Sequence, residues 1–278
     1  MSKLFLLGFS VFLLCPNFGL AFSLENFPLY QPSPNILMTP DLVGMNYENI
    51  TIDANGVRLN GWFIASAGAN RTVLYLHGSD GNISNYIAIA KKAIFPLRAN
   101  IFMIDYRGYG QSSGTPSEED LYQDAQAAFN YLTQTRKISK EKIIIYGFSL
   151  GAAVAVDLAT KVDAAGVIIH GGFTSVADTV QEHIPEALAK YSVHNKYDSL
   201  SKIGKIQEPA LIIHGFYDDT CPFEHAVRLY YTAKNVFGFV KLQGGHADNF
   251  SKENFPLYER AMGDFINYCA PESENEKN

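Results

Sequence analysis

Residues 143–153 read Ile143-Ile-Ile-Tyr-Gly-Phe-Ser149-Leu-Gly-Ala-Ala153, an apolar run followed by a glycine-flanked serine and then by small residues. The apolar run is typical of a buried strand, and the alanine-rich stretch that follows is typical of a closely packed helix. Glycines at 147 and 151 indicate a serine on a sharp turn, because side chains there would collide with that turn. The stretch therefore predicts a strand–turn–helix unit that presents a reactive serine.

The chain around this motif alternates strand patterns with helix patterns. Continuous apolar strands separated by helices indicate a mostly parallel sheet that is covered on both faces. Asn55-Gly56, between the β-patterned runs Asn49–Asp53 and Val57–Ala65, predicts a hairpin that adds antiparallel strands at one edge. The fold class is therefore α/β, with eight strands. The other predicted strands are Thr72–His77, Asn100–Asp105, Lys142–Tyr146, Gly166–His170, Ala210–His214 and Gly238–Leu242, and the predicted helices are Ser84–Phe95, Ser117–Thr133, Leu150–Lys161, Phe223–Lys234 and Phe255–Tyr268.

Composition restricts the function classes. The chain has 278 residues, of which 47% are hydrophobic, and its 22 lysines and arginines against 28 acidic residues leave a net charge of −6. This hydrophobic share excludes a disordered chain. The net negative charge argues against a protein that binds nucleic acid or anionic lipid through phosphate groups.

The N-terminus has the pattern of a secretory signal peptide. Lys3 precedes the apolar run Leu4–Leu14, a proline and an asparagine break that run, and Gly19 and Ala21 supply small residues at −3 and −1. We expect cleavage after Ala21, and therefore a periplasmic or secreted protein if the source is bacterial; an uncleaved signal anchor is the alternative. The predicted organisation is a signal peptide at 1–21, an N-terminal extension at 22–48, one α/β domain at 49–270 and a polar tail at 271–278.

Three cysteines are too few for a disulfide framework, and cleavage would leave only Cys221 and Cys269. Cys221 follows the carboxyl end of a strand. Cys269 lies at the far end of a last helix of ~14 residues, which would span about 21 Å. Because a disulfide needs Cα atoms within about 7 Å of each other, we expect two free thiols.

A serine hydroxyl is a weak nucleophile that needs a histidine base, and the base needs an acid to orient it. Candidates for both follow later strands. Asp218 and Asp219 come after the strand that ends at His214, and His246 follows two glycines after the last strand. The order serine, acid, histidine agrees with a nucleophile on such a strand–helix turn, so we expect these side chains to meet Ser149.

The loop His77-Gly-Ser-Asp-Gly-Asn82 follows the first buried parallel strand and should lie beside Ser149. Its glycines allow backbone N–H groups to approach a substrate oxygen. The helix that begins after Ser149 presents free N–H groups at its start, where negative charge is favoured. We therefore predict an oxyanion hole formed by the N–H groups of Ser79 and Leu150.

These motifs, taken in order, resemble the α/β-hydrolase superfamily, specifically its small single-domain serine hydrolases of the abhydrolase-domain type. The resemblance implies a triad of Ser149, Asp218 and His246, with Asp218 rather than Asp219 as the acid. Some relatives are lipid esterases, and others remove acyl groups from protein thioesters. Cys221 departs from the branched aliphatic residue that relatives usually carry before the proline. The resemblance runs from about residue 49 to 268 and rests on Leu74-Tyr-Leu-His-Gly-Ser-Asp-Gly-Asn82, Asp105-Tyr-Arg-Gly-Tyr-Gly-Gln-Ser112, Gly147-Phe-Ser-Leu-Gly151, Tyr197-Asp-Ser-Leu-Ser-Lys-Ile203, Leu211-Ile-Ile-His-Gly215 and Gly244-Gly-His-Ala-Asp248.

Four aromatic residues fall near the reactive face and are candidates for an acyl pocket, namely Phe148, Phe173, Phe216 and Tyr217. Rings of this kind are also ordinary core residues, and both interpretations stay open. The segment 173–206 stands where larger relatives carry a lid. Because it is short, we expect a short lid insertion and no fully covered lipid tunnel.

Other polar residues are expected to have structural roles. Spacings of the HExxH or CxxC kind are absent from the sequence, so we expect no metal site and assign three strand-end histidines to packing, namely His77, His170 and His214. Asp105 and Arg107 are expected to brace the loop beside the serine turn, and Asp248 to brace the last loop.

The expected function is that of a monomeric, exported serine hydrolase acting on carboxylic ester or thioester bonds. Its substrate would be a small-molecule or lipid-like acyl compound, with no cofactor, no nucleic-acid partner and no stable membrane span after signal cleavage. A peptidase or an acyltransferase with the same triad, and a non-catalytic binding protein on the same fold, are the alternatives. All three triad candidates are present in the sequence, which argues against the binding protein.

Overall fold

The computed structural model describes residues 29–181, 196–248 and 251–271. The strands in these ranges are β1 Gln31–Pro32, β2 Tyr47–Ala54, β3 Val57–Ile64, β4 Thr72–Leu76, β5 Asp80–Gly81, β6 Asn100–Ile104, β7 Ile143–Phe148, β8 Gly166–His170, β9 Ala210–Gly215 and β10 Val236–Leu242. All eight strands predicted from the sequence are present, with ends that differ from the prediction by at most two residues. The short strands β1 and β5 were not predicted.

The main sheet has eight strands in the order β10-β9-β8-β7-β4-β6-β3-β2. Every pairing from β10 to β6 is parallel, whereas β3 pairs antiparallel with both β6 and β2. Asn55 and Gly56 connect β2 to β3 with positive φ angles of 56° and 85°, the conformation that a two-residue hairpin turn needs. The structure therefore confirms the predicted mostly parallel sheet with an antiparallel hairpin at its edge.

The central strands are buried on both faces because helices cover the sheet on both sides. Alternate residues of β4 enter two separate apolar clusters: Leu74 and Leu76 pack in one, and Val73 and Tyr75 pack in the other. Since successive strand side chains point to opposite faces, two covered faces require continuous apolar runs. The first cluster includes residues of three helices, Glu118–Asn130, Leu150–Ala159 and Phe223–Thr232. The second includes residues of one long helix, Phe255–Cys269.

The segment after β4 differs from the regular helix predicted for Ser84–Phe95. Pro96 has no N–H to continue a helical ladder, and Arg98 ends the segment in the left-handed conformation with a φ of 52°. The segment is therefore helical but irregular. It consists of a 3₁₀ turn at Ile83–Tyr86, an α turn at Ile87–Ile89, a π turn at Ala90–Ile94 and a second 3₁₀ turn at Phe95–Leu97.

Part of the predicted N-terminal extension belongs to the fold. β1 pairs in parallel with β5, so that Gln31 lies opposite Asp80 and Pro32 lies opposite Gly81. The predicted signal peptide and its cleavage site lie outside the described residues, as does the tail beyond residue 271. In the segment 173–206 the short helices Val176–Gln181 and Leu200–Ile203 are described, whereas residues 182–195 are not, so the predicted lid stays a prediction.

The two cysteines lie at opposite ends of the parallel strands, Cys221 near their carboxyl ends and Cys269 near their amino ends. Cys221 is buried in the loop after β9, whereas Cys269 ends the last helix near the first residue of β8. A Cβ on Gly166 would lie 2.6 Å from the Cys269 Sγ. Cys221 and Cys269 are not joined by a disulfide, as predicted from the expected separation of the two residues. Among the described residues, no helix combines the length and apolar character needed to cross a bilayer.

Candidate active site

Ser149 stands between the end of β7 and the start of the helix Leu150–Ala159, as predicted. Its φ is 55°, a conformation that costs about 1–3 kcal/mol and is held by the surrounding structure. Its N–H donates to the carbonyl of His170 on the neighbouring strand over 2.9 Å. A Cβ on Gly147 would lie 2.1 Å from the carbonyl oxygen of Gly151, so the turn has no space for a side chain there.

The structure distinguishes the two neighbouring acids. Asp218 is 5% exposed, whereas Asp219 is exposed to solvent. Asp218 Oδ1 accepts the N–H groups of Thr220 over 3.0 Å and of Cys221 over 2.8 Å, and Oδ2 lies 2.6 Å from His246 Nδ1. Burial by itself raises the pKa of Asp218, but hydrogen bonds from two neighbouring histidines outweigh burial and hold this pKa well below its ordinary value. The buried carboxylate therefore stays ionised.

His246 connects the acid to the serine. Its Nδ1 donates to Asp218 Oδ2, and its Nε2 lies 2.8 Å from Ser149 Oγ. The loop that carries it is braced as predicted, because Asp248 Oδ2 accepts the N–H of Gly245 over 2.8 Å. The structure thus brings the three predicted triad residues into one continuous chain of hydrogen bonds.

A cavity of about 290 Å³ opens beside Ser149. Ser79 and Leu150 both line it, so the two predicted oxyanion donors border the same space as the serine. Leu150 is the first residue of its helix, and its N–H therefore has no acceptor within the helix. A Cβ on Gly78 would lie 3.4 Å from the Ser149 Cβ, which shows how closely this loop approaches the serine. The other lining residues are Leu29, Gln31, Phe173, Val176, Thr179, Thr220 and Cys221.

The four aromatic pocket candidates occupy different places. Phe173 lines the cavity, whereas Phe148 is buried beside it with its ring centroid 5.1 Å from that of His246. Phe216 and Tyr217 are 41% and 67% exposed and lie outside the cavity lining. They belong to the turn between β9 and Asp218, where the Phe216 ring packs edge-on against the ring of Phe223 at a centroid distance of 5.2 Å. The structure therefore places one of the four candidates in the cavity wall.

The strand-end histidines have separate hydrogen-bond partners. Within the described ranges, no three side chains of metal-ligating type lie close enough together to hold an ion. Each of the three histidines bonds a nearby backbone carbonyl or hydroxyl: His77 Nδ1 bonds the Gly78 carbonyl, His170 Nδ1 the Tyr146 hydroxyl and His214 Nε2 the Cys221 carbonyl.

A second cavity is a polar groove of about 640 Å³ that lies between β2 and the helix Glu118–Asn130, away from Ser149.

Asp105 and Arg107 brace the loop after β6. Asp105 Oδ1 accepts the N–H of Ile83 over 2.8 Å, which connects this loop to the segment after β4. The guanidinium of Arg107 forms an ion pair with Asp124 over 2.7 Å and a second with Asp120. Both residues therefore hold the loops around the serine turn, as predicted from the sequence.

Several contributions to the site were not predicted from the sequence. His214 Nε2 lies 3.3 Å from Asp218 Oδ2, so the acid has two histidine neighbours. Gly171 has a φ of 58°, and a Cβ there would lie 3.0 Å from His246 Cε1, so this glycine leaves room for the imidazole. The glycine pair that follows β8 is a local signal that could have indicated this contact. By contrast, nothing in the sequence around Gln31 indicates that it lines the cavity.

Comparison with known proteins agrees with this architecture. The family described as alpha/beta hydrolase fold matches residues 71–191. "Uncharacterized protein YfhR" of Escherichia coli strain K12 is 33% identical over 223 residues, which cover 76% of this chain and 77% of that protein. "Alpha/beta hydrolase domain-containing protein WAV2" of Arabidopsis thaliana is 31% identical over 263 residues, which cover 86% of this chain and 84% of that protein.

A solved structure adds to this comparison. The Pyrococcus furiosus esterase Pf2001 matches with a TM-score of 0.71 at 22% identity, over 85% of this chain and 98% of that chain. At this identity the likeness concerns the fold alone. Together with the two relatives and the sheet order described above, these findings show that the chain belongs to the α/β-hydrolase family.

Proposed function

We propose that this protein is a serine hydrolase that cleaves carboxylic ester or thioester bonds through an acyl-enzyme on Ser149. One observation carries the proposal: Ser149 Oγ lies 2.8 Å from His246 Nε2, and His246 Nδ1 lies 2.6 Å from the buried carboxylate of Asp218. A serine hydroxyl becomes nucleophilic when it bonds an imidazole that an ionised acid orients. Membership in the α/β-hydrolase family supports hydrolytic chemistry at this site.

Acylation uses the three residues in sequence. Ser149 Oγ attacks the substrate carbonyl carbon while its proton passes to His246 Nε2. Asp218 accepts the Nδ1–H of the imidazole, which leaves Nε2 free as the base before attack and stabilises the imidazolium afterwards. The imidazolium then donates its proton to the leaving alcohol or thiol as the C–O or C–S bond breaks.

Deacylation repeats these steps with water. His246 Nε2 takes a proton from a water molecule, and the water oxygen attacks the acyl carbon. The proton then returns to Ser149 Oγ as the carboxylic acid leaves, so the enzyme regains its starting state. Apart from water, these steps need no oxidant, reductant or other reactant, and the proposal therefore includes no cofactor.

The negative charge that develops on the substrate carbonyl oxygen needs hydrogen-bond donors that are already in place. The N–H groups of Ser79 and Leu150 are the donors that we propose, because both residues border the cavity beside the serine. The start of the helix Leu150–Ala159 also favours negative charge at this point.

The size and lining of the cavity favour a substrate whose acyl group is of modest size and is held beside Ser149. Its volume of about 290 Å³ lies just below the usual range for small-molecule sites, which begins at ~300 Å³. Leu29, Phe173 and Val176 give it apolar walls, against which an apolar acyl chain gains free energy by leaving water. The esterase named among the structural neighbours is in keeping with this substrate class.

A panel of esters and thioesters with graded acyl length tests the proposal. We expect the wild-type protein to turn over members of this panel and Ser149→Ala to lose turnover by at least about 10⁴-fold, since removing the nucleophile removes the acyl-enzyme. Ser201→Ala is the matched control, because Ser201 is an exposed serine outside the cavity lining. A fluorophosphonate probe should label the wild-type protein once, at Ser149, and should not label His246→Ala.

Two additions to the same assay separate the alternatives. Faster cleavage of matched amides would indicate a peptidase, and transfer of the acyl group to an added alcohol would indicate an acyltransferase. Labelling at another serine, or unchanged turnover in Ser149→Ala, would contradict the proposed mechanism. Absence of both turnover and labelling would favour a non-catalytic binding protein.

A further inference from the structure

The segment Leu29–Leu37, called the strap here, is hydrogen-bonded to the loop His77–Asn82, called the oxyanion loop. The N–H of Gln31 donates to the Ser79 carbonyl over 2.9 Å, and the N–H of Ser33 donates to the Gly81 carbonyl over 2.9 Å. The strap is therefore attached to the loop that carries one of the two proposed oxyanion donors.

Asn82 strengthens this attachment from the loop side. Its side chain is fully buried, and its amide group donates to the carbonyls of Ser33 over 2.9 Å and Asn35 over 2.8 Å. Its Oδ1 accepts the N–H and the hydroxyl of Ser84. Since a buried amide that lost these partners would be costly, the strap and the oxyanion loop are held in one arrangement.

The Ser79 carbonyl has a second donor from another part of the chain. The hydroxyl of Tyr109, in the loop after β6, donates to it over 2.8 Å. The Tyr109 ring is fully buried and packs edge-on against His77 and Tyr106, so the hydroxyl has little freedom to move. Two donors from separate segments thus converge on one carbonyl oxygen.

The peptide group on the other side of Ser79 is held as well. His77 Nδ1 donates to the Gly78 carbonyl over 2.8 Å, and burial lowers the pKa of His77 to about 4, so the imidazole stays neutral near pH 7. A trans peptide is planar, so the direction of the Gly78 carbonyl also sets the direction of the Ser79 N–H. Both peptide groups that flank Ser79 are therefore anchored through their carbonyl oxygens.

The strap also reaches the site directly. Leu29 and Gln31 line the same cavity as Ser149, Ser79 and Leu150. The strap is therefore a wall of the candidate site as well as an attachment for its loop. Its bonds to Ser79 act within the site rather than at a remote surface.

We propose that the backbone N–H of Gln31 and the hydroxyl of Tyr109 are positioning groups that hold the Ser79 N–H where the oxyanion forms. The inference rests on the proposed function, in which that N–H receives the developing charge. A donor stabilises a transition state fully only when it is fixed in advance, because a donor that must reorganise during the reaction loses part of its effect. The strap and Tyr109 supply that fixed position without touching the substrate oxygen.

Tyr109→Phe tests this role, because it removes the hydroxyl and keeps the ring. The matched control is Tyr75→Phe: Tyr75 is also fully buried, and its hydroxyl has no hydrogen-bond partner among the described residues. With an ester that the wild-type protein hydrolyses, we expect Tyr109→Phe to lower kcat about ten-fold and to leave KM within about two-fold. We expect Tyr75→Phe to match the wild-type protein.

A second pair of variants tests the strap. Gln31→Pro removes the backbone N–H and fixes φ, and Gln31→Ala removes the same side chain but keeps that N–H, so the difference between the two reports the loss of the backbone donor together with the constraint of the proline ring. We expect Gln31→Pro to have the lower kcat by about ten-fold. The double variant with Tyr109→Phe should lose more than either change alone, because both groups hold one carbonyl.

Inhibitor binding separates a positioning role from a purely structural one. A boronic acid forms a tetrahedral adduct on Ser149 that uses the oxyanion donors, whereas the product carboxylic acid does not require that geometry. We expect Tyr109→Phe to weaken boronic acid inhibition about as much as it lowers kcat and to leave product inhibition unchanged. Melting curves of all variants report whether each protein is folded.

The outcomes distinguish this inference from the proposed function. Unchanged kcat and boronic acid affinity in Tyr109→Phe, or equal losses in Tyr109→Phe and Tyr75→Phe, would overturn the positioning role while the Ser149-dependent activity stands. A fall in product binding equal to the fall in kcat would overturn it in the same way. Ester turnover that survives in Ser149→Ala would overturn the proposed function and the inference with it.

Discussion

The serine side and the proposed oxyanion side of the candidate site are built in different ways. The serine side, residues 147–151, is continuous in the chain. Its strand, turn and helix need only two glycines, at positions where a side chain would collide with nearby backbone atoms. The oxyanion side depends on Ser79, whose flanking peptides are held by His77, by Gln31 in the strap and by Tyr109 after β6. A nucleophile can therefore be specified by a local motif, whereas the position of a backbone donor depends on contacts between distant segments.

The largest effect on activity is expected from a change of the acid on the serine side, Asp218. Asp218→Asn should lower kcat/KM by about 10⁴-fold, because an amide no longer orients the imidazole as a carboxylate does. Asp219→Asn is the matched control, since Asp219 is exposed and the two hydrogen bonds of the His246 imidazole go to Asp218 and Ser149. It should remain within about three-fold of the wild-type protein. Steady-state hydrolysis of one ester by both variants checks this, and the reverse order of the two losses would contradict the assignment of the acid.

The next effect is expected where the two sides meet. A Cβ on Gly151 would lie 2.1 Å from the Leu76 carbonyl oxygen and 2.5 Å from that of His77, so Gly151→Ala must displace the backbone at the start of the oxyanion loop. We expect the free energy of unfolding to fall by more than about 3 kcal/mol, with a melting temperature lower by about 6–12 °C.

Gly238→Ala is the control for that substitution. A Cβ there would meet a Leu211 side-chain carbon at 3.5 Å, an ordinary contact, and the change should alter the free energy of unfolding by less than about 1 kcal/mol. Thermal and urea denaturation of both variants supply the measurement. Equal stability of the two variants would mean that the serine turn can move away from the oxyanion loop at little cost.

The smallest effect is expected from an acid on the oxyanion side. Burial raises the pKa of Asp105 to about 6, and the hydrogen bond from the Ile83 N–H offsets only part of that shift. The folded protein therefore holds this proton more tightly than the unfolded chain does. The stability that the protonated carboxyl contributes is fully present below about pH 4 and is lost as the pH rises through about 6.

Asp105→Asn reveals this contribution, because its amide does not titrate and can still accept the Ile83 N–H. The free energy of unfolding of the wild-type protein should fall relative to that of the variant by at most about 3 kcal/mol between pH 4 and pH 6. Contributions from the buried histidines cancel, since both proteins carry them. Denaturation series at several pH values would show a constant difference if the buried carboxyl does not titrate in this window.

The sequence predicted the features that depend on neighbouring residues. Strand periodicity, the Asn55-Gly56 turn and the glycine pattern around Ser149 are local signals, and the eight strands and the serine turn lie where these signals indicate. The placement of the aromatic rings was not predictable in this way. Phe173 and Phe216 carry the same side chain after neighbouring strands, yet one lines the cavity and the other is exposed, because only the packing of the segments that follow decides which ring is covered.

The sequence by itself determined the sheet, the strand–helix turn and the choice of Ser149 and His246 as the candidate nucleophile and base, because backbone propensity and side-chain type are properties of each residue and its near neighbours. Tertiary structure alone decided which groups surround them. It buried Asp218 between two histidines and left Asp219 in solvent, and it brought the strap onto Ser79. These contacts join atoms from segments far apart in the chain, and a hydrogen bond that spans such a distance leaves no pattern in the residues beside either partner.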